Sequence, residues 1–319
     1  MEHIEGKSQS NPSANRRDPR LYHIASLGTL LAYGLFWLHF DLSLWQIAVT
    51  IGTALLTQYA GTRYAKLPCF DPKSALISSL SLCILLRTDH LAIAALASVV
   101  AIGSKFVFRW NDKHLVNPTN LALAIALASG MGWISPGQWG QVAWFGFLIA
   151  CLGSLVVTRA ARADVTFAFL AVYVSLLFAR ALWLGDPLTI PFHQIESGAL
   201  LIFAFFMISD PKTTPDSRAG RIVYALCVAL AALYVQFGLF RPNGPLWGLI
   251  ACTPLVPLLD HLFPGARYVW TRPSTGSASP NSSLHINAQP SAGSHPQSVS
   301  VSLVSPTKEV LMRRTIVPS

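Results

Sequence analysis

The 319-residue sequence has few charged residues, since Asp, Glu, Lys and Arg together make up only 12% of it. Soluble globular proteins carry roughly 25%. Hydrophobic residues account for 52% of the chain, and the mean hydropathy is +0.48. These values exclude a soluble enzyme, a disordered regulator and a nucleic-acid binder, despite the net charge of +9. They predict a polytopic membrane protein in contact with a lipid bilayer.

The sequence also lacks the short motifs of soluble catalytic and metal sites. No two of its five cysteines have CxxC spacing, which excludes a local zinc or iron–sulfur motif. It has no P-loop, no HExxH and no GxGxxG after a strand. We therefore predict no catalytic residue of the soluble type and no metal site.

Long apolar segments dominate what is present. There are ten of them, and few helix-breaking residues interrupt them. The sequence therefore predicts an all-α fold with ten transmembrane helices. The segments are 22–39, 45–61, 74–86, 90–108, 118–134, 139–158, 163–184, 191–208, 221–240 and 245–263.

The positions of the basic residues predict how the chain crosses the membrane. With ten crossings and a cytoplasmic N-terminus, all of the 23 Lys and Arg residues except Arg87, Arg180 and Arg241 fall on the cytoplasmic side. Because cytoplasmic loops are enriched in Lys and Arg, both termini are predicted to be cytoplasmic, in a bacterial inner membrane. Residues 1–20 form a polar N-terminus, and the Ser-rich residues 271–319 are predicted to be a disordered tail.

Ten spans divide into two groups of five, which predicts an inverted repeat of residues 21–135 and 136–270. Two segments at matching positions, 74–86 and 197–208, have short apolar cores. Each covers about 20 Å of a hydrocarbon layer about 30 Å thick, and a polar cluster containing Asp follows each one. Interrupted segments at matching positions indicate a binding site near the midplane. Ordinary short helices with polar caps are the alternative.

Polar loops next to these segments supply the candidate ligand-binding residues. The loop after Phe206 combines Asp-Pro, hydroxyls and a lysine, which could bind a phosphate or a ring carbonyl, or could form a simple turn. The loop 113–118, which contains an Asn as the loop 241–245 does at the matching position of the second half, supplies the candidates of the first half. Glu196 is a candidate relay group, unless it is merely solvated. The predicted central site consists of Lys113, His114, Asn117, Pro118, Thr119, Glu196, Asp210, Lys212 and Thr213.

Several of these stretches resemble the NqrB/RnfD family, membrane subunits of bacterial ion-pumping NADH:quinone and ferredoxin:NAD oxidoreductases. The stretch 206–224 is similar to its "FMATDP…SP…GR.IYG" signature, and 113–118 to "HxFNPA". The stretches 193–198 and 254–260 resemble "HLLSGG" and "PLID". The resemblance covers about 70–265. It implies ten spans in an inverted repeat, other membrane or redox subunits as partners, and a role in electron transport with coupled ion translocation.

One departure from the family concerns its flavin. Family members in these pumps attach FMN to the Thr of an "SGAT" motif, whereas the corresponding Ser-Gly-Ala here, Ser197–Ala199, precedes Leu200. Leucine has no hydroxyl, so covalent FMN is not expected, and a non-covalent flavin (FMN or riboflavin) is the cofactor that the resemblance allows. The chain would then be at most a subunit of a membrane oxidoreductase. The alternative function is a channel or transporter for a small solute or cation, without redox chemistry.

Overall fold

The computed structural model describes residues 18–110, 113–134 and 143–268, and these residues are mainly helical. Most of the predicted N-terminal segment and the whole predicted tail lie outside them. A hairpin of two short antiparallel strands, β1 (Arg109–Trp110) and β2 (Lys113–His114), precedes α5. The helices are α1 (Pro19–Phe36), α2 (Leu44–Tyr64), α3 (Lys73–Leu85), α4 (Leu91–Val107), α5 (Pro118–Ala128), α6 (Ala143–Arg159), α7 (Ala163–Leu184), α8 (Thr189–Ile195), α9 (Gly198–Ile202), α10 (Arg218–Leu233), α11 (Gly244–Cys252) and α12 (Leu255–Leu262).

Each predicted apolar segment coincides with one helix or with one interrupted pair of helices. The α8–α9 pair occupies the eighth segment and the α11–α12 pair the tenth. The predicted all-α fold is therefore confirmed in the described residues, apart from the small hairpin.

By length and composition, fewer helices than ten are clear candidates for crossing a membrane. Ala163–Leu184 and Arg218–Gly238 are long and apolar enough, and the count rises to 4 if each bent pair forms one span. The helices α3, α4, α5 and the apolar part of α6 are shorter, with 10–17 residues. The ten-span count thus stays a prediction.

Two helices contain π-helical turns, in which the backbone hydrogen bonds span five residues instead of four. One turn, Phe203–Met207, continues α9, and the other, Tyr234–Gly238, continues α10. The chain also bends by 49° between α8 and α9, and by 56° between α11 and α12. Because π-turns are frequent at functional sites, these segments are where a binding site is expected.

The start of α1 is tied to the start of α3 by an ion-pair cluster. The Asp18 carboxylate caps α1 by accepting from the Arg20 backbone N–H, and it pairs with the Lys73 ammonium at 2.8 Å. The Arg20 guanidinium bridges Asp18 and Asp71. Burial raises the pKa of Asp18, but the hydrogen bonds from Arg20 and Lys73 outweigh it and lower that pKa to about 2.

Small residues allow α10 and α11 to pack backbone to backbone. A Cβ atom on Gly248 would lie 2.8 Å from Ala232 N and 2.9 Å from Val228 O. Both atoms belong to the α10 backbone, which cannot move away as a flexible side chain would. Glycine at position 248 is therefore required by this close approach.

Candidate functional site

A cavity of about 290 Å³ lies among α1 to α5 and the loop that follows Met207. We call it the basic cavity because four of its lining residues are cationic. Besides the apolar Leu67, Ile77, Phe106, Pro118, Phe206, Met207 and Pro211, its lining consists of Arg20, His23, Gln58, Asp71, Ser74, Ser78, Ser81, Lys105, Arg109, His114, Asn117, Thr119, Asp210 and Lys212.

Six of the nine predicted site residues line the basic cavity, although the sequence separates them into two groups. His114, Asn117, Pro118 and Thr119 come from the first half of the chain, and Asp210 and Lys212 from the second. The structure thus brings together the two loops that the sequence singled out.

The other three predicted residues lie elsewhere. Lys113 pairs with the carboxylates of Asp216 at 3.0 Å and Asp260 at 2.6 Å. Because Lys113 and His114 are consecutive residues of strand β2, their side chains point to opposite faces, and only His114 reaches the cavity.

Glu196 and Thr213 likewise do not line the basic cavity. Glu196 is exposed at the end of α8, where its carboxylate lies 3.8 Å from the His193 ring. Thr213 is buried in the turn after Asp210, and its hydroxyl donates to the Asp210 carbonyl at 3.4 Å. Their positions favour the solvated alternative for Glu196 and the turn alternative for Thr213.

The basic cavity has an excess of positive charge. Among the lining residues that the structure describes, Arg20, Lys105, Arg109 and Lys212 are cationic, whereas Asp71 and Asp210 carry carboxylates. Burial, followed by the charges of Lys105, Arg109 and Lys212, lowers the pKa of His114 to about 4. His114 is therefore neutral at pH 7, mainly because it is buried.

Two loop residues at the cavity have opposite pKa shifts. Burial raises the pKa of Asp210, although a hydrogen bond from the Lys212 backbone N–H and the nearby cations oppose that shift. Burial lowers the pKa of Lys212, and the negative charge of Asp210 opposes this shift. Each charge is thus partly removed from water.

Two histidine nitrogens at this cavity have no hydrogen-bond partner among the described residues. They are His23 Nε2 and His114 Nδ1, and both atoms are buried. A buried polar atom without a partner is unfavourable by about 1–3 kcal/mol. A bound ligand at the cavity could satisfy both.

Two side-chain hydrogen bonds next to the cavity join the two halves of the chain. The Asn117 side-chain amide donates to the Met207 carbonyl at 3.1 Å, at the end of the first π-turn. The Asn120 amide donates to the Leu246 carbonyl in α11, also at 3.1 Å. Both donors belong to the loop and first turn of α5, and both acceptors belong to the second half.

A second cavity, of about 300 Å³, lies on the other side of Met207, which lines both. We call it the neutral cavity because none of the described residues that line it is charged. Its polar groups include Gln194, Ser197, Gln236 and Asn243, and the Tyr173 hydroxyl donates to Gln236 Oε1 at 2.7 Å. Residues of both π-turns line it.

Several residues of the basic cavity were not among the sequence-based candidates. Lys105 and His23 lie within apolar segments, and an ionisable residue there is a functional candidate by default. Lys105 also lies near the end of its segment, where a lysine fits the topology signal, and this second signal masks the first. Met207 gives no such signal, because its role depends on a π-turn that the sequence does not reveal.

Comparison with known proteins bears on the second half of the chain. Residues 127–269 match the NQR2, RnfD, RnfE family. The resemblance that the sequence motifs suggested is therefore confirmed over that range, which contains Asp210, Lys212 and the loop around them. The stretch 113–118 lies before it, so its likeness to "HxFNPA" stays a prediction.

Individual relatives give the same result. Proteins named as a subunit of the ion-translocating oxidoreductase complex, from Erwinia tasmaniensis, Escherichia coli and Salmonella paratyphi B, are each 32% identical to this chain over 136, 138 and 139 residues. The aligned stretch is 42% of this chain and 35–36% of those relatives. The chain therefore matches about a third of their length.

Proposed function

We propose that this chain is an integral membrane subunit of an ion-translocating electron-transport complex, with a non-covalent flavin in the basic cavity. The carrying observation is that six residues chosen from two distant loops line one cavity, and one of these loops lies in the stretch that matches the family. Other membrane or redox subunits are the expected partners, since the similar proteins are named as subunits of a complex.

We further propose ten spans in an inverted five-helix repeat, in a bacterial inner membrane with both termini cytoplasmic. If consecutive helices run in opposite directions, the connections that follow the predicted segments 2, 4 and 8 lie at one end of the bundle. The connections that follow segments 5, 7 and 9 lie at the other end. The basic cavity is lined from the first group, by residues such as Asp71, Arg109 and Lys212, and the neutral cavity from the second. An inverted repeat places matching connections of its two halves at opposite ends of the bundle, and one cavity lined from each end fits that arrangement.

The residues of the basic cavity fit a flavin. Its volume is close to the lower limit of about 300 Å³ for ligand pockets. Phe206 offers an apolar face, while the unpartnered His23 and His114 nitrogens and the Asn117 region offer polar contacts. A bound flavin would supply one- and two-electron redox chemistry. The protein would hold its ring and exclude water from it.

An absorption spectrum of the detergent-purified full-length protein tests this proposal. We expect a flavin spectrum, and we expect the chromophore to remain in the supernatant after acid precipitation, because Leu200 offers no attachment hydroxyl. Colour in the pellet would instead reveal covalent attachment. Protein that stays colourless after expression with ample riboflavin would contradict the flavin proposal.

A second candidate function is a channel or transporter for a small solute or cation. The observation that favours it is that Met207 lines both cavities, which the proposed topology places at opposite ends of the bundle. Liposomes containing only this protein distinguish the candidates. Flux of a solute or cation without a redox partner would support the channel if a Met207→Ala variant accelerates it. Liposomes that stay impermeable would exclude the channel.

A further inference from the structure

Two lysines of the basic cavity have ammonium groups that pair with no carboxylate among the described residues. Lys105 Nζ donates to the Ser74 carbonyl at 2.8 Å and to the Ser74 hydroxyl at 3.1 Å. Lys212 Nζ donates to the Tyr268 carbonyl at 3.3 Å. In the part of the chain that the structure describes, none of the ion pairs includes either lysine.

Burial makes this lack of a partner significant for Lys105. Its exposed fraction is 5%, and it lies in α4, the fourth predicted span. Buried charges in proteins are normally paired, and charged residues within membrane segments mark functional sites by default. Ser74 accepts hydrogen bonds from the Lys105 ammonium, but it has no negative charge to balance the positive charge of that group.

The two acidic residues that line the cavity do not pair with these ammonium groups. Asp71 is paired with Arg20. Asp210 accepts a hydrogen bond from the Lys212 backbone N–H, not from its ammonium. A phosphate monoester carries a charge of about −1.5 to −2 at pH 7 and would pair with both ammonium groups.

We propose that Lys105 and Lys212 form a phosphate-recognition pair, so that the ligand of the basic cavity carries a phosphate monoester. This inference rests on the proposed flavin function and specifies it: the flavin is FMN and not riboflavin. Lys105 recognises the anion from α4 and Lys212 from the loop of the second half, so both halves of the chain contribute one charge.

Flavin binding to the full-length protein in detergent tests the pair. The protein is freed of bound flavin by dialysis in a phosphate-free buffer, and binding of FMN and of riboflavin is followed by quenching of flavin fluorescence. We expect the wild type to bind FMN at least about tenfold more tightly than riboflavin. Lys105→Gln and Lys212→Gln should each weaken FMN binding and leave riboflavin binding unchanged.

Lys66→Gln is the matched control, because Lys66 is an exposed lysine of the α2–α3 connection that does not line the cavity. It should bind FMN as the wild type does. Lys212 lies in a loop, so Lys212→Gln gives a result even if the buried Lys105→Gln variant fails to fold. Unchanged FMN binding in Lys212→Gln would overturn the pair.

The remaining outcomes separate this inference from the flavin proposal. Equal affinities for FMN and riboflavin would overturn the phosphate pair and keep the flavin. If neither flavin binds, the flavin proposal fails, and inorganic phosphate becomes the probe. Phosphate, compared with chloride at equal ionic strength, should then raise the melting temperature of the wild type. If Lys212→Gln abolishes this rise, the result supports the pair. No such rise would overturn it as well.

Discussion

Gly248→Leu is expected to prevent most of the chain from accumulating as a folded, monodisperse protein. The new side chain would begin at a Cβ atom that already lies under 3 Å from Ala232 N and Val228 O of α10. Gly248→Ala, which adds only that Cβ, should lower the free energy of unfolding by about 1–3 kcal/mol. Size-exclusion chromatography of detergent extracts measures how much monodisperse protein Gly248→Leu yields. The same measurement after heating at graded temperatures gives the melting temperature of Gly248→Ala, which reports its loss of stability.

Gly52 provides the matched control for this prediction. It also lies within a helix, α2, but a Cβ atom there would have no neighbour within 4 Å. Gly52→Ala should therefore melt at or slightly above the wild-type temperature, since alanine favours helix more than glycine does. If Gly248→Ala is as stable as Gly52→Ala, the α10–α11 backbones do not approach as closely as described.

Lys113→Met is expected to lower the free energy of unfolding by about 3 kcal/mol, because it removes the cation of a largely buried triad with Asp216 and Asp260. The two carboxylates would then face each other, held together by the hydrogen bond from the Asp216 N–H to Asp260 Oδ1. Thermal melting of the purified variant gives the measurement.

A partial rescue distinguishes charge imbalance from lost packing. Adding Asp260→Asn to Lys113→Met should recover much of the stability, because one of the two unpaired carboxylates is removed. Asp186→Asn serves as the control, since it breaks the exposed Arg180–Asp186 pair and should change stability by less than about 1 kcal/mol. A double variant as unstable as Lys113→Met alone would contradict the electrostatic explanation.

Much of the fold was predictable because apolar segments determine where helices form. The ten segments coincide with helices or interrupted helix pairs, and the polar residues between them mark the connections. The π-turns were not predictable, because the Phe203–Met207 sequence does not differ from an ordinary helical one. The Met207 carbonyl at the end of this turn is held by Asn117, a contact that only the tertiary structure supplies.

The candidate site was predictable in part for a related reason. Asp210 and His114 are polar residues next to apolar segments, so the sequence distinguishes them from their surroundings. Lys113 and His114 are neighbours in sequence but belong to opposite faces of a strand, and no pattern in two residues reveals which one faces a ligand. Lys105 was overlooked because a lysine near a span end fits a topology signal equally well.

The contacts between the halves also limit how the chain can be recombined with its relatives. Asn117 and Asn120 donate their side-chain amides to the Met207 and Leu246 carbonyls, yet both asparagines precede the matched stretch 127–269. A chimera that takes this stretch from here and the preceding helices from a relative would keep both carbonyls. The two hydrogen bonds between the halves would form only if the relative's helices carry a side-chain amide at the positions of Asn117 and Asn120. Compatibility of the halves, and not overall identity, should decide which exchanges give a folded protein.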